Sequence, residues 1–239
     1  MQMGALILNC DLGEDECVAQ TERLMALVGA ANICCGAHAG SLEKTRATLE
    51  LAKRYSVRVG AHPGLAFAGG RGAALPSVAA FDALLRNQLE SFARVAAEVG
   101  VLVSYVKLHG TLYHAVEQAP ELAEVFLRRI QLMQPSVGIF ALAGGTFAPL
   151  ARASGIRVWE ELFADRGYTA DGQLMPRGQA CAVIDEVAVA VERIQQWLES
   201  GQMAVEGAQS IALTGETLCV HSDTPHALQL LASLGRLVG

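Results

Sequence analysis

Histidine, carboxylate and lysine side chains recur in this chain just after short apolar runs, a placement suited to proton transfer, metal ligation or anion recognition. Asn9, Asp11 and Glu14 close the first run, Asn32 and then His38 accompany the second, and His62 ends the third. Lys107 and His109 end the fourth; Glu160, Glu161, Asp165 and Arg166 close or follow the sixth; His221 and Asp223 close the seventh. Four of the six histidines occupy such positions. Imidazole titrates near neutrality and serves equally as base, acid or metal ligand. Each residue alone has a blander reading. A single His after a strand is often a satisfied loop residue, Asp223 would suit the N-cap of a helix opened by Thr224-Pro225, and Lys107 could be a surface lysine. Convergence tips the balance, because unrelated surface residues would scatter to both ends of the strands.

Glycines sharpen the pattern. Gly36-Ala37-His38-Ala39-Gly40, Gly60-Ala61-His62-Pro63-Gly64 and His109-Gly110 each place glycine near a histidine, where backbone can approach a ligand closely. Three motifs are missing. There is no glycine-rich phosphate loop, no dinucleotide fingerprint and no G-x-S-x-G nucleophile elbow.

The elements that would carry these residues alternate. Apolar runs at 4–10, 31–35, 57–61, 101–107, 137–143, 156–160 and 217–221 read as strands. Amphipathic stretches near 15–29, 41–55, 77–99, 118–134, 145–154, 185–200 and 224–237 read as helices. Ser41 and Ser77 suit N-caps, and Gly100 and Gly155 suit helix C-termini. Alternating strands and helices imply parallel strands joined by right-handed crossovers. Seven such strands without a linker predict a single seven-stranded parallel β/α barrel, one α/β domain over residues 1–239, with a doubly wound open sheet as runner-up. In a barrel of this kind the active face lies at the C-terminal strand ends. The Gly/Ala-rich segment 64–76 and the polar segment 161–180 read as long loops over that face.

With 239 residues, 52% hydrophobic and 18% charged, the chain has ample material for one core. A net charge of -6 without a Lys/Arg cluster argues against nucleic acid and polybasic membrane binding. No apolar stretch is long enough to span a bilayer and no signal peptide is evident. The six cysteines form no C-x-x-C pair. Reduced, buried thiols and a cytoplasmic location are therefore expected.

Six ordered motifs carry a resemblance: Asn9 to Glu14, Ala31 to Gly40, Gly60 to Gly64, Val106 to Tyr113, Glu161 to Tyr168 and Cys219 to Pro225. They resemble the LamB/YcsF family, described as the A subunit of the prokaryotic 5-oxoprolinase. The resemblance implies a barrel related to the glycoside hydrolase/deacetylase group. It also implies ATP-dependent opening of the 5-oxoproline lactam to L-glutamate, together with subunits B and C. On that reading Asp11, His38, His62 and His109 position substrate, water or a divalent ion, and Lys107 and Arg166 offset phosphate charge. Glu161, Asp165 or His221 act as general base, and Asn9, Asn32, Arg71, Tyr113, Arg166 and Asp223 contact substrate. A metal-dependent hydrolase or deacetylase holding a divalent ion, such as Mg, on Asp11, His38 and His62 is the alternative. A non-catalytic ligand-binding subunit is a third reading. Ser41, Leu108, His114 and Ser222 stand where members usually carry Asp, Pro, Asn and Gly. The loop Leu65 to Gly72 has lost an acidic residue and one arginine relative to the family pattern.

Overall fold

The computed structural model describes residues 6–67, 69–72, 74–207 and 209–238. The opening of the first apolar run, at residues 4–5, and parts of the 64–76 loop lie outside the described residues. Seven parallel strands close into a barrel in the order β1 (Ile7–Leu12), β2 (Ala30–Cys34), β3 (Arg58–His62), β4 (Val103–Val106), β5 (Gly138–Leu142), β6 (Val158–Phe163) and β9 (Thr217–Val220). β9 pairs with both β1 and β6. Closure rules out the doubly wound sheet, because neither edge is left open.

Helices α1 (Val18–Met25), α2 (Leu42–Tyr55), α3 (Val78–Val99), α4 (Thr111–Gln118), α5 (Pro120–Gln131), α6 (Phe147–Ala153), α7 (Val187–Ser200) and α8 (Ala227–Val238) accompany the strands. The expected start and stop signals operate at α2 and α3. The Ser41 and Ser77 hydroxyls accept from the Lys44 and Ala80 amides, and Gly100 adopts a left-handed φ of 75°. Four elements differ from the sequence reading. An unexpected helix, α4, precedes the stretch near 118–134, which itself forms α5, because Pro120 cannot continue α4 and instead opens a new helix. α8 begins at Ala227 rather than at Thr224-Pro225, because the Thr224 hydroxyl is engaged with Asp165 in the preceding turn. β6 runs on to Phe163, so Glu161 belongs to a strand and not to a loop. An antiparallel hairpin, β7 (Gln202–Val205) and β8 (Gln209–Ala212), joins α7 to β9 where no strand was expected. The Trp197 indole ties that hairpin down by donating to Leu213 O at 2.8 Å.

Strand alternation sorts the side chains. Leu8, Cys10 and Leu12 of β1 face the core between sheet and helices. Ile7 joins Ala30, Tyr105, Phe140 and Trp159 in a separate cluster that plugs the barrel. Tyr105 stacks on Phe140 with ring centroids 3.7 Å apart. Gly60 on β3 has no side chain to compete for the space the Tyr105 ring fills. The floor of the barrel is therefore apolar and solid, and the next residues along the same inward faces are polar.

Candidate functional site

Above the aromatic floor lies a hydrogen-bonded layer. Asn32 Nδ2 donates to Asn9 Oδ1 and to Asp11 Oδ1, each at 2.7 Å; Asn9 Nδ2 donates to Thr217 Oγ1 and the Tyr105 hydroxyl donates to Asn32 Oδ1, also at 2.7 Å. Both asparagines are fully buried, and neither is among the residues lining the two cavities over this end of the barrel. Rather than reaching the cavity where substrate was expected, they orient Asp11. Burying polar groups this deeply costs little only when each finds a partner, as here.

One layer higher, Lys107 reaches into the barrel with its Nζ 3.0 Å from Asp11 Oδ1, 3.0 Å from Glu161 Oε1 and 3.1 Å from Cys219 Sγ. Lysine, Asp11 and Glu161 are all buried. Burial alone would favour neutral lysine, but Asp11, Cys219 and Glu161 hold its pKa well above the ordinary value. Burial would likewise raise Asp11, yet His62 and Lys107 keep it well below the usual carboxylate range. Glu161 goes the other way, because burial pushes its pKa up and Lys107 only partly offsets this. Glu161 Oε2 and the nearby Tyr113 hydroxyl make no well-aligned hydrogen bond among the described residues. Two carboxyl groups on one cation thus have divergent proton affinities, an arrangement that separates a permanent anion from a proton carrier.

Asp165 and His221 form a second unit. The His221 ring donates from Nδ1 to Asp165, 3.0 Å from either oxygen, while the His221 amide and the Thr224 hydroxyl donate to Oδ2 at 2.9 and 2.8 Å. This partnership overcomes burial and depresses the Asp165 pKa. With Nδ1 so committed, His221 Nε2 faces Asp11 Oδ2 at 4.0 Å. Asp165 itself is buried behind the ring. Arg193 on α7 anchors this stretch by donating to Phe163 O and Ala164 O at 2.6 and 3.0 Å.

The third unit is Glu14, His38, His62 and His109, all buried. Glu14 Oε1 lies 2.9 Å from His38 Nε2 and 3.2 Å from His109 Nδ1, and His109 Nδ1 lies 2.9 Å from His62 Nε2. His62 Nε2 also faces Asp11 Oδ2 at 3.4 Å. These four residues make one group whose ligand atoms could hold a metal ion; Asp11 falls in another, with Cys219 and His221. The expected set of Asp11, His38 and His62 is thus redrawn. The reason is chain path: Glu14 curls back from the end of β1 to meet the imidazoles, while Asp11 is claimed by Lys107 and Asn32. Three imidazoles and one carboxylate are also not the oxygen cage that magnesium needs.

A cavity of about 440 Å³ opens over the barrel, lined by Asp11, His62, Lys107, His109, His221 and Tyr113 at its base and by Arg71, Arg166 and Arg177 higher up. A neighbouring cavity of about 230 Å³ reaches Glu14, His38, His109, Arg71 and Asp223. Asp223 bridges the two outer arginines, 2.8 Å from Arg71 Nη1 and 3.1 Å from Arg177 Nη1, and so stands at the rim instead of capping a helix. Arg166 spends two of its donors on Ala182 O and Met175 O, pinning the loop that follows β6. Sequence reading passed over Arg177, Tyr105, Thr217 and Cys219. The inward alternation of β4 and β9 would have pointed to Tyr105, Thr217 and Cys219; nothing local points to Arg177. His38, His62, His109 and His221 nevertheless meet at one end of the barrel, as the strand-end pattern required.

Comparison with known proteins places the chain in a family. The chain is 36% identical over 230 residues to the 5-oxoprolinase A subunit of Bordetella pertussis, covering 94% of this chain and 91% of that one. It is 35% identical over 234 residues to the 5-oxoprolinase A subunit of Syntrophobacter fumaroxidans, covering 95% and 92%. Among solved structures, the lactam utilization protein from Thermus thermophilus superposes with a TM-score of 0.87 at 28% identity, over 98% of this chain and 97% of that one. The LamB/YcsF family profile matches residues 6–238, and the chain belongs to that family.

Proposed function

We propose that this barrel opens the lactam of 5-oxo-L-proline to L-glutamate as the A subunit of an ATP-dependent 5-oxoprolinase, in the cytoplasm and in complex with subunits B and C. The observation that carries the reading is the buried Asp11–Lys107–Glu161 centre at the base of an arginine-lined cavity, beside an imidazole oriented by Asp165. The relatives' names supply the substrate class. A five-membered lactam is a small, planar amide bearing one carboxylate, and it fits a cavity of about 440 Å³ with cationic walls and a polar base.

Each residue then has a role set by its surroundings. Arg71 and Arg177 meet the substrate carboxylate or a phosphate at the mouth, a task for which the planar guanidinium is suited. ATP, when bound, would supply the driving force by phosphorylating the amide oxygen, so that one water opens the C–N bond to leave an acyl phosphate and a second water releases inorganic phosphate. Lys107 offsets negative charge that develops on that oxygen, in a site that largely excludes water. His221, with Nδ1 tied to Asp165, presents Nε2 to take a proton from the attacking water. Glu161, which holds its proton more tightly than an ordinary carboxylate, is the group available to protonate the departing ring nitrogen. Cys10, Cys34, Cys35 and Cys219 are buried free thiols, which suits a reducing compartment. No helix among the described residues is long and apolar enough to cross a membrane.

The test is reconstitution with subunits B and C while following 5-oxoproline, ATP and glutamate together. Glutamate should appear in step with ATP consumption, and His221→Ala and Lys107→Ala should abolish it in protein that remains folded by circular dichroism. Normal rates for both variants would remove this centre from the reaction.

A further inference from the structure

We infer that Glu14, His38, His62 and His109 form a binding site for a divalent first-row transition metal of the zinc type. The argument begins with where each imidazole spends its outer nitrogen. His62 Nδ1 is 2.8 Å from Lys107 O and His109 Nε2 is 3.1 Å from Gly69 O. A carbonyl only accepts, so both nitrogens carry hydrogen, and in neutral rings the inner nitrogens carry lone pairs. Those inner nitrogens, His62 Nε2 and His109 Nδ1, point at each other across 2.9 Å. Glu14 Oε1, another acceptor, stands 3.2 Å from the same His109 nitrogen. Lone pairs this close repel unless something positive lies between them.

His38 completes the set. Its Nδ1 faces the Cys34 sulfur at 3.9 Å, and its Nε2 points at Glu14 Oε1 at 2.9 Å. The four inner atoms lie within 4.8 Å of one another. An outer N–H given to a backbone carbonyl is the usual support of a metal-bound imidazole, since it sets both tautomer and ring angle. The glycines around the site serve the same end. A side chain at Gly64 would collide with the His38 ring, and one at Gly70 would press on His109 Cδ2 at 2.9 Å. Backbone has been brought against the imidazoles so closely that their orientations are fixed.

The donor set chooses the ion. Three neutral imidazoles and one carboxylate suit zinc, cobalt or nickel, whereas magnesium and calcium prefer oxygen. The site is also reachable, because one cavity meets Glu14, His38 and His109 and the other meets His62 and His109. Bound there, the ion would tie the ends of β1 and β3, and the segments after β2 and β4, into one rigid floor under both cavities.

Binding can be read without turnover, so this inference and the lactam reading fail separately. The isolated chain is stripped with a chelator and titrated with zinc by calorimetry and with cobalt by visible absorption. Wild-type protein should bind one equivalent of each, and cobalt should show the intense d–d bands of a four-coordinate site. His62→Ala and His38→Ala should each weaken binding by about 100-fold or more, with apo-protein circular dichroism unchanged. The zinc-dependent rise in melting temperature should vanish with them. Two binding results overturn the inference: no stoichiometric binding by the wild type, or binding that both variants retain. Nitrogen-15 spectra showing His109 protonated on both ring nitrogens in metal-treated protein would also overturn it, since a proton would then be what separates the lone pairs.

Discussion

Replacing Lys107 with methionine tests the charge centre most directly. The side chain keeps its length and apolar stem but loses the cation that Asp11 and Glu161 share at 3.0 Å each. At an effective dielectric of about 20, each contact is worth roughly 5 kcal/mol before desolvation is counted. The net loss is smaller because the carboxylates have other recourse. Asp11 keeps Asn32 and His62, whereas Glu161 has no further well-aligned partner and escapes by taking up a proton. Neutralising a carboxyl of ordinary pKa at pH 7 costs about 4 kcal/mol, which caps the penalty at Glu161. This agrees with the roughly 3–5 kcal/mol typical of breaking a buried ion pair. For a chain of this size that corresponds to a drop in melting temperature of roughly 6–20 °C.

The same reasoning fixes a pH dependence. In Lys107→Met the folded state keeps Glu161 protonated at pH values where the unfolded chain has released that proton. Stability is therefore full below the unfolded pKa and declines as pH rises, by up to about 1.4 kcal/mol per unit between pH 5 and 8. Adding Glu161→Gln should remove that slope and recover about 1–3 kcal/mol. Guanidinium denaturation of wild type, both single variants and the double variant at several pH values measures all of this. A loss under about 1 kcal/mol in Lys107→Met, or strict additivity in the double variant, would refute the idea that one cation holds both carboxylates.

Three further expectations follow from single contacts. Asp165→Asn should lower kcat in the reconstituted complex by roughly 10²–10⁴-fold with KM little changed, because His221 loses the partner that sets its tautomer; an unchanged kcat would show that His221 is not oriented this way. Gly60→Ala would drive a methyl into the Tyr105 ring and should cost roughly 3 kcal/mol or prevent folding, with partial recovery when Tyr105 is also shortened to leucine; denaturation midpoints decide it. Burial and the Arg166 charge hold the His114 pKa down at about 4, so acidification from pH 7 protonates the unfolded chain first and costs stability. His114→Asn should therefore resist a shift from pH 7 to pH 4 better than wild type by roughly 2 kcal/mol, and identical pH profiles would count against a partly buried imidazole held neutral.

The amino-acid order by itself determined the alternation of strand and helix, the parallel barrel and the end of it where the histidines and acids gather. These depend on local periodicity and on the rule that crossovers are right-handed, so apolar runs such as 31–35 and 57–61 and caps such as Ser41 and Ser77 suffice to reveal them. Partnership was not legible, because it depends on inward alternation and on closure of β9 against β1. Asn9 and Asn32 look like ligand-binding residues until closure stacks them beneath Asp11, where Thr217 and Tyr105 take up their remaining hydrogen bonds. Glu161 reads as a loop acid until β6 proves longer than its apolar run and aims it at Lys107. The carboxylate completing the imidazole group is Glu14 and not Asp11, a choice made by how the chain curls after β1. Spacing along a chain fixes which face a side chain occupies; only the folded barrel decides which atoms lie within about 3 Å of one another, and at that distance proton affinity and ligation are set.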